Sequence, residues 1–403
     1  MKRLLEAARR LHGQMIEWRR DFHRHPELGY EEHRTSAKVA DHLRGLGLEV
    51  RTGVGRTGVV GLLRGERDGP TILLRADMDA LPIPEADKGI DYMSEIEGKA
   101  HLCGHDAHTS MLMGAAQILR ERGVKRGNVK FMFQPAEEGL AGARAMIEDG
   151  VLDKPRVDAA VALHVSPVHP TGRVAVIRGA GWAAADRVII RIIGRGGHAA
   201  APHQTVDAVA VAAQVITALQ QIVSRQTDPL DAAIVTIGRI AGGHAFNAIA
   251  PEVLLEGTVR TLVPETQRRI RAAIEAVVQG VTASFGASYE YEYEEGYPVL
   301  VNSDEMNELV KQACDATLGP GRWEYGRTSM GGEDFAFVAQ RVPSAMFRLG
   351  TRNGEKTAYP LHHPMFNLDE DALPIGAALL ASMAVHYLEN AGPQGENGIH
   401  RRP

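Results

Sequence analysis

The chain has 403 residues, 44% hydrophobic and 24% charged, with 45 basic and 50 acidic side chains and a net charge of −5. Such a length predicts two or three domains, and an acidic balance without a basic run excludes nucleic acid as an expected partner. No apolar run reaches the roughly 18–20 residues of a membrane span, MKRLLEAARRLHGQ lacks a signal-peptide core, and two cysteines exclude a disulfide framework, so a cytoplasmic protein without membrane contact is expected.

In chain order, residues 1–20 read as a helix that Pro26 ends. His23 and His25, beside that proline, are expected to be structural or surface residues rather than ligands. Thr35 and Ser36 lead a second helix, AKVADHLRGLG, closed by Gly45 and Gly47. Two apolar strands follow, GVVGLLRG (58–65) and TILLRAD (71–77), the second ending on Asp77 with Asp79 just beyond. HLCGHDAHTS (101–110) is a glycine-containing turn, and the helix predicted after it covers 109–122. VKFMFQP (129–135) is a buried strand running straight into Glu137 and Glu138. A helix around 140–149 leads to the strand DAAVALHV (158–165), with His164 near its end.

Apolar strands alternating with helices predict an α/β fold with a mixed, largely parallel sheet flanked by helices. Ligands gather beyond the carboxyl ends of strands in such sheets. Asp77, Asp79, Glu137, Glu138 and His164 fall at or near such ends, and Cys103 and His105 precede a helix.

From about residue 184 to 295 the order becomes β-α-β-β-α-β, an inserted ferredoxin-like unit. Its two helices are TVDAVAVAAQVITALQQIVSR and PETQRRIRAAIEAVVQGVTASFG, with Pro264 in the first turn of the second. The first domain therefore reads as 1–183 and 296–390. It resumes with a helix carrying Cys314, expected to be a small buried hydrophobe, then the strand SAMFRLG and a long final helix. The tail 391–403 is polar and is expected to be disordered.

The rim gathers Cys103, His105, Glu138, His164 and a histidine of LHHP (361–364). Two divalent cations about 3.5–4 Å apart need such a set, with at least one donor shared. A thiolate argues against magnesium and calcium and leaves zinc, manganese, cobalt or nickel. Adjacent Glu137 and Glu138 point in different directions, so one can ligate while the other moves a proton between attacking water and leaving group.

Ten stretches in order, HRHPELGYEE, RADMDALP, HLCGHDAHTSMLMGAA, FQPAEEG, ALHV, GRGGHAAAPH, FNAIAPE, GTVRT, MGGEDFA and LHHPMF, cover about residues 5–388. In them the chain resembles the aminoacylase and carboxypeptidase family of two-metal amidohydrolases. The branch it is most similar to holds hippurate hydrolases, N-acetyl amino acid deacetylases and auxin-conjugate hydrolases. The resemblance implies a zinc-aminopeptidase-like catalytic domain and a lid or dimerisation role for 184–295, hence a homodimer or higher homo-oligomer. Cys103, His105, Glu138, His164 and His362 match the metal ligands, Glu137 the general base, and Asp79 the acid behind the metals. Asp77 falls where other branches place a ligand histidine, which the cysteine-containing branch lacks; His363 is left out. His198 matches the oxyanion residue, and Asn247 and Arg260 match groups that hold the substrate carboxylate. The implied reaction hydrolyses an N-acyl-L-amino acid with two divalent ions. The alternatives are a carboxypeptidase or carbamoyl-amide hydrolase of the same fold, or a binding protein without catalysis.

Overall fold

The structure, a computed structural model, describes residues 1–390. It divides into two compact units, one of residues 1–179, 301–327 and 337 onward, the other of residues 180–300 with 328–336. The tail expected from 391 lies outside the described residues.

The larger unit is built on an eight-stranded sheet in the order Glu49–Val54, Gly58–Arg64, Asn128–Gln134, Thr71–Asp77, Ala159–Pro170, Ser344–Arg352, Val174–Val176 and Trp323–Tyr325. The four strands from Asn128–Gln134 to Ser344–Arg352 pair in parallel, and the first two join antiparallel. Thr71–Asp77 is buried at every position, as a central parallel strand covered on both faces must be. Its carboxyl end, with those of Asn128–Gln134 and Ala159–Pro170, opens on one edge.

Helix His105–Arg122 is buried from His105 to Ala116, around nearly its whole circumference. It starts four residues earlier than the apolar pattern indicated, because its first turn is polar yet lies inside the protein. Gly104 caps it in a left-handed conformation, φ 89°, and a Cβ there would sit 2.4 Å from Val165 Cγ2. Only glycine fits between Cys103 and His105. The N-terminal helix is two helices, Lys2–Arg10 and His12–Arg24.

His23 is indeed structural: its ring bridges Asp106, 2.7 Å away, and Glu85, 2.8 Å away. Arg19 adds bonds to Asp106, Tyr92, Asn367 and Glu370, tying helix His12–Arg24 to the start of helix His105–Arg122. Cys314 is buried in the core.

Two helices, Ala208–Gln226 and Ala372–Asn390, do meet the length and hydropathy of a membrane span, which reading for uninterrupted apolar runs overlooked. Both spend their apolar faces on packing. Ala372–Asn390 lies in the core of the larger unit, and the stripe Val211, Val215, Leu219 and Ile222 of the other packs on the smaller sheet.

The smaller unit is a four-stranded antiparallel sheet in the order Ala233–Gly242, Glu252–Thr261, Ala184–Ile193 and Ser288–Tyr297, with helices Ala208–Gln226 and Pro264–Ser284. Asp207 caps the first helix by accepting from Val209 and Ala210. Thr328–Ala336 also packs here. A Cβ on Gly332 would lie 2.9 Å from Ala185 Cβ and 3.2 Å from Arg260 Nη1, so the backbone of MGGEDFA runs against that arginine.

Candidate metal centre

Five side chains from four separate stretches meet at the carboxyl edge of the larger sheet. Cys103 ends the loop before Gly104, and His105 is the first residue of the buried helix. His164 comes from strand Ala159–Pro170, Glu138 from the turn after Asn128–Gln134, and His362 from the loop before the last helix. Donor atoms of Cys103, His105 and His164 lie within 4.8 Å of one another, as do those of Cys103, Glu138 and His362. A third group joins His105 to Glu137 and Glu138. Cys103 is common to the first two groups, which is the arrangement a pair of cations sharing a donor requires.

The His105 and His164 rings are each turned by the bond the other nitrogen makes. His105 Nδ1–H donates to the Asp79 carbonyl at 2.8 Å, which aims Nε2 inward. His164 Nδ1–H donates to the Val165 carbonyl at 2.8 Å, leaving Nε2 at 3.5 Å from Cys103 Sγ. His362 is held in a left-handed conformation, φ 66°, by its N–H bond of 2.8 Å to the Leu102 carbonyl. Its Nε2 comes to 3.2 Å from Glu138 Oε1. His363 turns away: its ring stacks on Tyr359 and Nδ1 accepts from the Met365 N–H.

Asp79 sits behind these donors. Its Oδ2 accepts the Glu138 N–H at 2.9 Å. Asp77 is neutralised within the protein: Arg75 Nη1 donates to it at 2.6 Å, and His108 Nδ1–H at 2.6 Å. His108 Nε2 accepts the Val165 N–H at 2.9 Å, which fixes its tautomer and ties helix to strand beside His164. His108 has no role assigned from the sequence; its place one helical turn after Gly104 in GHDAH is the available signal.

The donor set fits a cation. His105 Nε2 is buried with no hydrogen-bond partner among the described residues, and Glu138 Oε1 has only the His362 ring at 3.2 Å. An orphaned buried polar atom costs about 1–3 kcal/mol, and a cation against His105 Nε2 and Glu138 Oε1 would remove that cost. The electrostatics agree at the histidines and carboxylates, while burial and Glu138 push the Cys103 thiol well up, which a bound cation would reverse. Burial works to raise Asp77, but Arg75, His105 and His108 outweigh it and hold its carboxyl well below the ordinary range. Burial likewise fails to raise Glu138 against His362 and His105, so it stays a carboxylate. Burial and His108 push His164 well down, to the neutral imidazole that can donate a lone pair. His105 moves the opposite way: against burial, Asp77 and Cys103 stabilise positive charge on it. A cation at Nε2 can take the place of that proton.

Glu137 and Glu138 sit on a strained turn just before the helix expected around 140–149. Ala136 and Ala141 are both left-handed, φ 55° and 58°, with Glu138 and Gly139 non-helical between them, and the helix begins only at Gly142. Left-handed backbone costs a non-glycine residue roughly 1–2 kcal/mol. At Gly142 a Cβ would collide with the Pro135 carbonyl at 1.7 Å, so the chain has one way through. Two strained residues around two adjacent carboxylates are the kind of stored distortion that accompanies a working site.

The other predicted residues belong to the smaller unit and are not gathered there in one place. His198 and Asn247 share a tip: Gly197–His198 pairs with Ala248–Ile249, and the Ala199 N–H donates to the Asn247 carbonyl at 3.1 Å. Both are exposed, and Phe246 beside them is 102% exposed. His198 Nδ1 accepts the Ala200 N–H at 3.0 Å, so the neutral ring carries its proton on Nε2. Arg260 lies at the far end of strand Glu252–Thr261. Glu252, near the tip, pairs with Ile193 and Arg260 with Ala185, and eight residues of strand separate them by roughly 26 Å. Burial lowers the Arg260 guanidinium from its usual value, with Asp186 opposing.

A largely parallel sheet whose carboxyl edge carries a centre for two divalent metal ions defines a metal-dependent hydrolase. The model of peptidase family M20/M25/M40 matches residues 73–386, and the chain belongs to that family. It is 40% identical to an IAA-amino acid hydrolase of Arabidopsis thaliana, over 96% of this chain and 88% of that one. It is 37% identical to the N-acetylcysteine deacetylase of Bacillus subtilis, over 95% and 99%. A solved dinuclear metal-binding M20 peptidase from Bacillus subtilis superposes with a TM-score of 0.83 at 35% identity, covering 95% of this chain and 99% of that one.

Proposed function

We propose that the protein hydrolyses the amide bond of N-acyl-L-amino acids to a carboxylic acid and a free amino acid. In this reading Cys103, His105, Glu138, His164 and His362 hold the two ions, which are zinc, manganese, cobalt or nickel, and Asp79 orients His105 and Glu138. When bound, the ions polarise the acyl carbonyl and acidify the attacking water. The observation that carries the proposal is Glu137, buried on a strained turn, within 4.8 Å of donors on His105 and Glu138. Glu137 takes the proton of the attacking water and returns it to the departing amine nitrogen. His198 donates its Nε2–H to the developing oxyanion. The Arg260 fork and the Asn247 amide hold the substrate carboxylate.

The separation within the smaller unit favours a second copy. One tip cannot deliver His198 and Asn247 to a substrate that the same unit's Arg260 grips roughly 26 Å away. We therefore assign the 184–295 unit to dimerisation, with the tip serving the partner subunit's site and the protein a homodimer or higher homo-oligomer. Two free buried cysteines suit a reducing cytoplasm.

Relatives named for N-acetylcysteine and for IAA-amino acids support acetyl and indoleacetyl as acyl groups to test. The test is to incubate the protein with manganese or zinc and a panel of N-acetyl-, N-benzoyl- and indoleacetyl-amino acids, reading released amino acid. Release from at least one class, abolished by a chelator, is expected. Faster cleavage of dipeptides or N-carbamoyl amino acids would move the substrate to the carboxypeptidase or carbamoyl class.

A further inference from the structure

None of the chemistry above uses the stretch PELGYEE, residues 26–32, yet it builds the wall behind the Glu137 turn. Leu28 bridges Ala80, and the Ala80 N–H donates to the Glu27 carbonyl at 2.8 Å, which lays the stretch along the Asp79 loop. Glu27 puts its two carboxylate oxygens on the N–H groups of Arg34 and Thr35 and fixes the start of helix His33–Gly45. Gly29 has no room for a side chain: a Cβ would lie 3.0 Å from Ala136 Cα. Glu32 is wholly buried. Its Oε1 accepts the Ala136 N–H at 2.8 Å, and its Oε2 accepts the Thr57 hydroxyl at 2.5 Å.

Ala136 immediately precedes Glu137 and is left-handed. Relaxation to ordinary backbone would rotate the peptide that carries Glu137. A side-chain oxygen that accepts the buried Ala136 N–H resists that rotation, because breaking the bond would leave the donor unsatisfied. A buried carboxyl is a costly way to fill space, and an apolar residue would fill it as well. The polar choice has a specific use here.

We propose that Glu32 is a positioning residue for hydrolysis: through the Ala136 N–H it holds the left-handed turn that aims Glu137. The proposal rests on reading Glu137 as the base, and Glu32 itself touches no reacting atom. Burial, aided by Asp79 and opposed by the Thr57 bond, pushes the Glu32 carboxyl up to about 7. Protonated Glu32 can donate to Thr57 while Oε1 still accepts from Ala136, so a glutamine can replace it in kind.

The test compares Glu32→Gln, Glu32→Ala, Glu32→Ala with Ala136→Gly, and Glu137→Gln. Each full-length protein is assayed for bound metal, for kcat and KM on the best N-acyl amino acid of the panel, and for amide exchange across 134–142. Glu32→Ala is expected to keep its metal and KM but lose about 10²-fold in kcat, the scale of an ångström's misplacement. Its Ala136 amide should exchange quickly. Glu32→Gln should retain kcat and slow exchange, and Ala136→Gly should restore part of the lost kcat because glycine adopts positive φ freely. Should Glu32→Ala not fold, Thr57→Val is read instead, with kcat down about fivefold and faster Ala136 exchange. Wild-type kcat or slow exchange in the variant read would overturn the proposal, as would equal damage from Gln and Ala. If Glu137→Gln keeps wild-type turnover, the base assignment fails instead, while the exchange data still report on the Glu32–Ala136 bond.

Discussion

The donor rim of the larger unit and the His198 tip of the smaller one carry the same kind of residues in opposite settings. Cys103, His105 and His164 are buried, and each imidazole among them is turned by a bond to backbone. His198 and Asn247 stand exposed on a hairpin of two-residue strands. The difference teaches where pre-organisation is needed. Donors must be held to a fraction of an ångström before any ion or substrate arrives, so they sit on core elements. On the proposed dimer, His198 and Asn247 would meet the substrate of a second copy, which requires that they stay exposed on their own.

The sharpest way to break that contrast is at the rim. Glu137→Gln should retain bound metal and lose about 10³–10⁴-fold in turnover, the upper range for a proton-transfer group; elemental analysis beside kcat checks both halves. Cys103→Ala should fail differently, losing metal first, because it removes the donor common to two groups.

At the tip, His198→Ala should cost about 10²–10³-fold in kcat with metal content unchanged. Co-expressing it with Glu137→Gln should restore activity that neither variant has alone, since a mixed dimer pairs an intact tip with an intact rim. No recovery in a confirmed heterodimer would return the tip to its own chain. Arg260→Lys, which keeps charge but loses the fork, should raise KM about tenfold with little change in kcat.

The smallest effect concerns the brace behind the rim. Burial acts to raise Glu85, but His23, Lys88 and the Ser94 N–H outweigh it and bring it down to about 2. A carboxyl depressed on folding stabilises the protein above its unfolded value, and that stability is lost as pH falls from ~4.3 toward ~2. Denaturant midpoints of metal-free protein should therefore drop across this window, and Glu85→Gln should flatten the drop by about 3 kcal/mol or less.

Much of the fold was legible because its signals are local. Thr71–Asp77 reads as a continuous apolar run and is buried throughout. The β-α-β-β-α-β order, the caps at Asp207 and Pro264, and the amphipathic stripe of Ala208–Gln226 are all periodic or positional features. The misreadings share a cause: tertiary burial overrode local pattern. Asp106 and His108 look too polar for a buried helix, yet ion pairs and ring bonds to distant residues satisfy them. The helix expected around 140–149 begins only at Gly142, because nothing in FQPAEEGLAG announces two left-handed alanines. At Ala136 the turn is held by an N–H bond to Glu32, more than a hundred residues away in the chain. Likewise the distance between His198 and Arg260 follows from strand register, which no motif records.

The central claim is that Cys103, His105, Glu138, His164 and His362 grip two cations with the thiolate between them. Anomalous diffraction at the metal absorption edge, on crystals of metal-loaded protein, tests it directly. The account predicts two peaks about 3.5–4 Å apart, each within about 2.0–2.3 Å of its donors and both in reach of Cys103 Sγ. A lone peak, or a pair lying away from Cys103, would contradict it.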